Sequence, residues 1–297
     1  MVFSDLFGDS SALPTYFVSQ AAKDKLTVVL TGDGADEAFG GYVDPFAVYL
    51  NQGYRHIPEF LKKFTFWLLP KFSRVPLRWF KRFQEISRLP PQKIYTQLKS
   101  GSWSPYLSAF RENGFDLQES VSHYFSHCAS RNPVTKFLYT DIVDRLSHDF
   151  LVKVDMATMA SSLEARSPFL DYRLVELGYS LDHRVRYAHL RRKAVLKKIL
   201  EKYVDKDIIH RKKMGFSIPM ETWLADKVIL SQVKRLIDRP STLTRFIDKA
   251  VVNHIVTEFA QGQMGHANRV WLLLWYQIWD GLFLSNLYSR EQRLSDL

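Results

Sequence analysis

The segment 26–42 constrains this chain most, and it reads LTVVLTGDGADEAFGGY. Its apolar run, rich in β-branched residues, predicts a short buried strand, and the glycine-acid-glycine turn that follows leads into a predicted helix. A strand-turn-helix junction collects exposed backbone N–H groups and the positive end of a helix dipole. Gly32 and Gly34 have no Cβ, so backbone there can approach a ligand closely.

Acidic side chains occupy the same turn. Asp33, Asp36 and Glu37 repel a bare phosphate, but they suit a divalent metal that carries the phosphate with it. The turn therefore predicts a magnesium-pyrophosphate or magnesium-nucleotide site at the carboxyl end of a parallel strand. The alternative is an ordinary acidic loop that caps a helix, because short glycine motifs often occur without a ligand.

Composition limits the class of protein. A length of 297 residues, 46% hydrophobic and 14% aromatic, allows one large or two ordinary packed domains. A single cysteine, Cys128, excludes a disulfide framework and a cysteine-based zinc site. The sequence shows neither a run of about 18 apolar residues nor a secretory signal pattern, which predicts a cytoplasmic protein.

The formal charge of +10 is unevenly distributed. The segment from Tyr54 to Lys93 holds ten basic residues against two acids, Glu59 and Glu85, interleaved with aromatic residues. Such a segment can bind nucleic acid or an anionic bilayer. The favoured interpretation is a set of amphipathic surface helices with aromatic side chains inward and lysines in water.

Further elements are predicted along the chain. Apolar spacing predicts helices over 136–148, 154–163, 191–203 and 268–283. In the helix over 191–203, Ala194, Val195, Ile199 and Leu200 are predicted to point inward. The tryptophans of the last helix are predicted to lie in the core, at positions 271, 275 and 279.

Two more blocks read DFLVKVDMATMASSLEARSPFLD (149–171) and HRKKMGFSIP (210–219). Together with TGDGADEAFGGY, and in the same order, they resemble the synthetase domain of the glutamine-dependent asparagine synthases, a family of AMP-forming ATP pyrophosphatases. The resemblance implies an α/β remnant followed by a mostly α-helical body. Residues 1–44 would be the carboxyl-side part of a parallel sheet like that of the adenine-nucleotide alpha-hydrolases, and residues 45–297 the helical body.

The resemblance also implies roles for residues of the acidic turn. Asp33 and Asp36 would hold Mg²⁺ and, through it, the pyrophosphate end of ATP, while Gly32 and Gly34 would offer backbone to the nucleotide. Glu37 is as well placed to cap the following helix.

Three residues outside the turn match the family's motifs. Glu164 and Arg166 belong to a signature near the acyl substrate and the adenylate, where Arg166 could clamp a carboxylate. The alternative is a buried pair of Arg166 with Glu164 or Asp171 that fixes the turn, and Asp171 is expected to be structural. Lys213 matches the family lysine and would stabilise the charge of the activated intermediate.

The implied reaction joins L-aspartate and ammonia into L-asparagine, with ATP converted to AMP and pyrophosphate through β-aspartyl-AMP. The ammonia would come from glutamine hydrolysed elsewhere, on a separate or missing glutaminase segment. The family's SGGxDS phosphate loop does not occur in these 297 residues. The chain is therefore expected to be the carboxyl-terminal portion of a longer protein, whether as a truncated gene product, one half of a split pair, or the result of a mis-assigned start.

Three other functions remain open from the sequence. The chain could be a catalytically silent fragment or interaction subunit that keeps the fold without the chemistry. It could form the amide of another carboxylate, because the acceptor has no local signature. The basic segment could also bind nucleic acid or anionic lipid, which predicts steep salt dependence.

Overall fold

The computed structural model describes residues 5–58, 60–62, 83, 85, 87–110, 117–211 and 215–289. The main elements, in chain order, are α1 (Ala12–Lys23), β1 (Val28–Leu30), α2 (Ala35–Phe39), α3 (Val43–Tyr54), α4 (Pro91–Lys99), α5 (Leu117–His127), α6 (Pro133–Thr140), a π-helical segment (Asp141–Phe150), α7 (Leu151–Met159), β2 (Glu164–Arg166), α8 (Tyr172–Ser180), α9 (His183–Arg186), α10 (Ala194–Leu200), α11 (Lys206–His210), α12 (Met220–Ala225), α13 (Lys227–Asp238), α14 (Lys249–Ala260) and α15 (Ala267–Phe283). Short 3₁₀ turns lie between several of them, at Gly101–Ala109, Pro168–Leu170, Ala188–Leu190, Thr242–Arg245 and Met264–His266.

The described chain is mostly helical, with one small parallel sheet. β1 and β2 pair in parallel, with Val28 opposite Glu164 and Leu30 opposite Arg166. The prediction of a buried first strand is wrong, because Val28 is 40% exposed and Leu30 is 74% exposed. In the described part of the chain β1 pairs with β2 alone, so its outer edge and much of its side-chain surface stay open.

A long helical path leads to the second strand. α6, the π-helical segment and α7 follow one another without interruption from Pro133 to Met159. The sequence analysis predicted two separate helices here. The spacing of apolar residues changes in the π-helical segment, because a π-helix has more residues per turn than an α-helix. Past α7 the chain turns through Ser162, whose φ is +54°, and enters β2. α7 contacts both α1 and β2, so this path lies beside the sheet.

The helix predicted over 191–203 is shorter in the structure. α10 covers only Ala194–Leu200, and Lys193 at its amino end has a left-handed backbone with φ of +53°. Ile199 and Leu200, predicted to be inward, are both exposed. Seven residues give two helical turns, so the predicted 13-residue amphipathic face does not form.

Two hydrophobic cores hold the helices together. One is built from α12 to α15 and includes Trp271, with Trp275 packed against it, so the core position predicted for these two tryptophans is confirmed. The Trp271 indole N–H donates to the Gly8 carbonyl oxygen at 3.0 Å. The other core joins α3, α4, α5 and α6 around Tyr95, Phe125 and Phe137.

Two findings concern surfaces that could meet a membrane or a nucleic acid. Within the described ranges, we find no helix with the length and apolar character that crossing a bilayer requires. Most of the basic segment Tyr54 to Lys93 lies outside the described residues, namely 59, 63–82, 84 and 86. Its binding to nucleic acid or lipid stays a prediction.

Candidate functional site

The acidic turn lies at the carboxyl end of β1, and the turn after β2 lies against it. The Thr31 amide donates to the Arg166 carbonyl oxygen at 2.8 Å, which extends the strand pairing by one residue. The Ser167 hydroxyl then donates to the Asp33 carbonyl oxygen. Since the carboxyl ends of parallel strands share one sheet edge, the two sequence blocks TGDGADE and EARSPFLD become neighbours there.

The two glycines of the turn differ in their surroundings. Gly34 has a φ of +87°, a left-handed conformation that L side chains rarely adopt, and a Cβ there would collide with the Leu170 side chain. A Cβ on Gly32 would meet nothing within 4 Å, so its backbone borders open space. Gly34 therefore sets the shape of the turn, whereas Gly32 leaves room beside it.

We expect Gly34→Ala to be destabilising, because it combines a strained backbone with a steric collision. Each of these effects costs roughly 1–3 kcal/mol in other proteins. Urea denaturation followed by circular dichroism should show a free energy of unfolding lower by about 2 kcal/mol or more. Gly32→Ala is the matched control, and a loss as large in the control would contradict the distinction between the two glycines.

Asp36 forms the ion pair that defines the site. Its Oδ1 lies 2.9 Å from the Lys193 Nζ, and both side chains are largely buried, 21% and 28% exposed. A Cβ on Gly41 would collide with both the Asp36 carboxylate and the Lys193 side chain. The Gly41 amide donates to the Asp36 carbonyl oxygen at 2.8 Å, and its own carbonyl oxygen accepts from Arg192 Nη1 at 3.2 Å. Gly41 thus leaves room for Lys193 to reach Asp36, and its carbonyl oxygen binds Arg192.

Asp36 and Lys193 open onto a cavity of about 860 Å³, called here the first cavity. Among the described residues of its lining, four are arginine or lysine and Asp36 alone is acidic. It is lined by Asp36, Gly41, Arg192, Lys193, Lys197, Ile208, Ile209, His210, Arg211, Gly215 and Phe216. A concave surface with several cations and one carboxylate suits a phosphate-bearing anion together with a cation.

Lys213 lies outside the described residues. Arg211 and Gly215, the described residues closest to it on either side, both line the first cavity. The role predicted for Lys213 stays a prediction, and the position of its neighbours is compatible with it.

Glu164 and Arg166 are not among the residues that line the first cavity. The Arg166 Nε lies 2.7 Å from the Glu164 Oε1, and the two side chains are 64% and 53% exposed. This hydrogen-bonded pair holds the pKa of Arg166 above its usual value. The alternative that Arg166 pairs with Glu164 is confirmed. The expectation that this pair is buried is wrong, because both side chains point to solvent from a strand of only three residues. The clamp role of Arg166 stays a prediction.

Asp171 has a structural role, as the sequence indicated. Its carboxylate accepts a hydrogen bond from the Arg173 amide at 3.0 Å and caps α8. The Arg173 guanidinium binds the same carboxylate, at 2.6 Å from Oδ2. Hydrogen bonds from the Arg173 side chain and backbone lower the pKa of Asp171 to about 2.

Glu37 is a buried support of the turn. The Tyr42 hydroxyl donates to the Glu37 Oε1 at 2.6 Å, and the Glu37 side chain is only 2% exposed. Burial raises the pKa of this carboxyl, while the hydrogen bond from Tyr42 opposes the shift. Gly34, which has no side chain, is the N-cap of α2, and Glu37 lies in the first turn of that helix.

Sequence reasoning missed Arg192 and Lys193. Both belong to the basic run RRK at 191–193, which was assigned to a helix whose lysines and arginines would face solvent. The left-handed backbone at Lys193, with φ of +53°, instead directs the chain across Gly41. The sequence feature that could have pointed to Arg192 and Lys193 is the cluster of bases just before a helix. That feature does not identify a partner more than 150 residues away.

The carboxylates near the first cavity determine how Mg²⁺ could be held there. Among the described residues, no group of three or more His, Cys, Asp or Glu side chains could hold a metal. Mg²⁺ usually retains water and binds through one or two carboxylates plus substrate phosphates, so one carboxylate on the cavity wall could serve as its protein ligand. Asp36 offers one such carboxylate, for which the Lys193 ammonium at 2.9 Å would compete with the metal, and Asp33 precedes Asp36 by three residues.

Comparisons with known proteins show which family the chain belongs to. Residues 2–281 match the model of the family described as Asparagine synthase. Since this match covers most of the 297 residues, the chain belongs to the asparagine synthase family.

Individual relatives show the same similarity. The chain is 28% identical over 299 aligned residues to asparagine synthetase [glutamine-hydrolyzing] 1 of Bacillus subtilis, covering 98% of this chain and 46% of that protein. A Mycobacterium tuberculosis relative named after the same activity is 28% identical over 288 residues, covering 94% of this chain and 43% of the relative. The chain thus spans about half the length of these curated relatives.

Proposed function

We propose that this chain is the synthetase portion of a glutamine-dependent asparagine synthase. It would form L-asparagine from L-aspartate, ATP and ammonia, with release of AMP and pyrophosphate. The observation that carries the proposal is the Asp36–Lys193 ion pair at the carboxyl end of β1, in a basic cavity bordered by the residues that flank Lys213.

The proposed roles follow from charge and position. An AMP-forming ligase must orient a carboxylate toward the α-phosphate and neutralise the pyrophosphate that leaves. Asp36 and Asp33 would hold Mg²⁺, which would supply positive charge to neutralise the leaving pyrophosphate. Lys193 and Arg192 would bind the charged oxygens of the leaving pyrophosphate directly. Their contacts with Asp36 and Gly41 place both side chains at the wall of the first cavity.

The second half-reaction needs ammonia at the activated acyl carbon. In the proposal, ammonia attacks that carbon, the bond to AMP breaks, and the extra proton leaves with a nearby base. A glutaminase segment would supply the ammonia, and a segment with the SGGxDS loop would supply further donors for the phosphates. Lys213 would balance negative charge on the reacting phosphate, and Arg166 would bind a carboxylate of the acyl substrate.

The test combines this chain with a polypeptide that carries the SGGxDS loop from a relative. We expect the pair to produce AMP when aspartate, ammonia, Mg²⁺ and ATP are all present. Asp36→Asn should lower the rate by about 100-fold or more, as losses of charge-stabilising groups do in other enzymes. Asp207→Asn is the control, because Asp207 is exposed and is not a lining residue of the first cavity.

Two outcomes would contradict parts of the proposal. A folded, assembled pair that makes no AMP with aspartate or with other carboxylates would remove the enzymatic function. AMP formation with another carboxylate, and none with aspartate, would keep the ligase chemistry and replace the acceptor.

A further inference from the structure

A second basic cavity adjoins the first, and neither the family match nor the proposed reaction assigns it a role. Its volume is about 520 Å³, within the range of small-molecule sites. It is lined by Arg184, Val185, Ala188, His189, Arg191, Ala194, Val195, Lys197, Lys198, Glu201 and His210. Only Lys197 and His210 also line the first cavity, so these two side chains form the shared wall.

The backbone before α10 distributes consecutive bases between the two cavities. Arg191 has an extended backbone, with φ of −114° and ψ of 136°, and successive side chains of extended backbone point in opposite directions. Arg191 accordingly lines the second cavity, and Arg192 lines the first. His189, Leu190 and Lys193 around them all have φ between +53° and +55°. Three left-handed non-glycine residues within five positions mark a strained loop, and such strain is concentrated at functional sites.

The second cavity has an excess of positive charge. Its acidic lining residue is Glu201, which lies 3.4 Å from the His210 Nε2. Arg184 is already paired with Asp182 at 3.0 Å. Within the described part of the chain, no carboxylate pairs with Arg191, Lys197 or Lys198. Burial lowers the pKa of Lys197, and the neighbouring Arg192, Arg191 and Lys193 lower it further.

We infer that the second cavity binds an anion with linked phosphate groups. Arg191 and Lys198 would bind this anion in the second cavity only, and Lys197 would lie between the two cavities and contact both. Arginine and lysine together recognise phosphate by bidentate and point-charge contacts. The binding itself is independent of the proposed function. The identification of this anion as pyrophosphate released from the first cavity rests on the proposed function, because the two cavities share a wall.

The experiment titrates the chain with inorganic pyrophosphate by calorimetry. We expect two sites per chain. The double variant Arg191→Ala/Lys198→Ala should bind pyrophosphate at least about tenfold more weakly at the second cavity and with unchanged affinity at the first. Arg192→Ala/Lys193→Asn should show the reverse. Lys202→Ala/Lys206→Ala is the matched control, because it removes two exposed lysines that line neither cavity.

Each remaining outcome decides the matter. One site in the wild-type chain, lost in Arg192→Ala/Lys193→Asn and unchanged in Arg191→Ala/Lys198→Ala, would overturn the inference. No pyrophosphate binding at all would do the same. Lys198→Gln alone serves if the double variant fails to fold, since Lys198 is exposed, and it should weaken the second site only. Failure here, with aspartate-dependent AMP formation intact, would leave the proposed function standing.

Discussion

Lys193→Asn is expected to change two affinities in opposite directions. The variant should bind Mg²⁺ alone more tightly, because the cation competing for Asp36 at 2.9 Å is removed. It should bind magnesium pyrophosphate more weakly, because a positive donor to the phosphate oxygens is lost. Hydrogen bonds to charged groups contribute about 1.5–3 kcal/mol, so the second affinity should fall by roughly 10- to 100-fold.

Asparagine is the best replacement because Lys193 is left-handed, and asparagine tolerates that conformation better than alanine. Calorimetry with Mg²⁺, with pyrophosphate and with both together separates the two effects. Lys202→Asn controls for the loss of one charge from the exposed surface. A parallel decrease of both affinities would show that Lys193 only maintains the shape of the cavity, and an unchanged affinity for magnesium pyrophosphate would remove Lys193 from the site.

The sequence predicted the acidic turn because its signals are local. β-branched residues followed by Gly-Asp-Gly define a strand end and a turn within ten positions, and the structure has β1 and α2 on either side of that turn. The environment of the strand was not predictable in this way. Burial of Leu30 depends on which other strands pair with β1, and this is a property of the tertiary fold.

The site beyond the turn depends on long-range contacts that spacing does not encode. Lys193 reaches Asp36 from 157 positions away only because Gly41 leaves room and the backbone before α10 is left-handed. A run of bases in a sequence is usually a solvated surface, so the run at 191–193 gave no reason to choose one member. Arg166 shows the opposite case: its partner Glu164 lies two positions away on one strand, and this pair was among the predicted alternatives.

The buried ion pair that supports the acidic turn could not be predicted from the sequence either. Asp141 lies in the π-helical segment and is fully buried, 0% exposed. Its Oδ1 lies 2.8 Å from the Lys99 Nζ and accepts a hydrogen bond from the Tyr95 hydroxyl at 3.1 Å. The π-helical segment contacts α2, so this buried pair holds the helix that begins with the acidic turn.

Lys99→Met should therefore destabilise the fold strongly, by about 3–5 kcal/mol, because it leaves a buried carboxylate without its cation. Denaturant unfolding monitored by tryptophan fluorescence measures the loss. Asp44→Ala is the control: Asp44 lies 3.4 Å from the same lysine but is partly exposed, and partly exposed pairs contribute about 1 kcal/mol or less.

The double variant Lys99→Met/Asp141→Leu separates the charge from the packing. Replacing both partners of a buried ion pair by apolar side chains of similar size is often neutral, so most of the lost stability should return. If the double variant is as unstable as Lys99→Met, the lysine stabilises the fold through contacts of its ammonium other than the one with Asp141, because methionine keeps an aliphatic side chain and the Nζ lies 5.2 and 5.8 Å from the centroids of the Tyr95 and Tyr42 rings. If stability returns while the double variant binds magnesium pyrophosphate more weakly than the unmodified chain, the buried charge pair sets the position of the acidic turn as well as the stability of the fold.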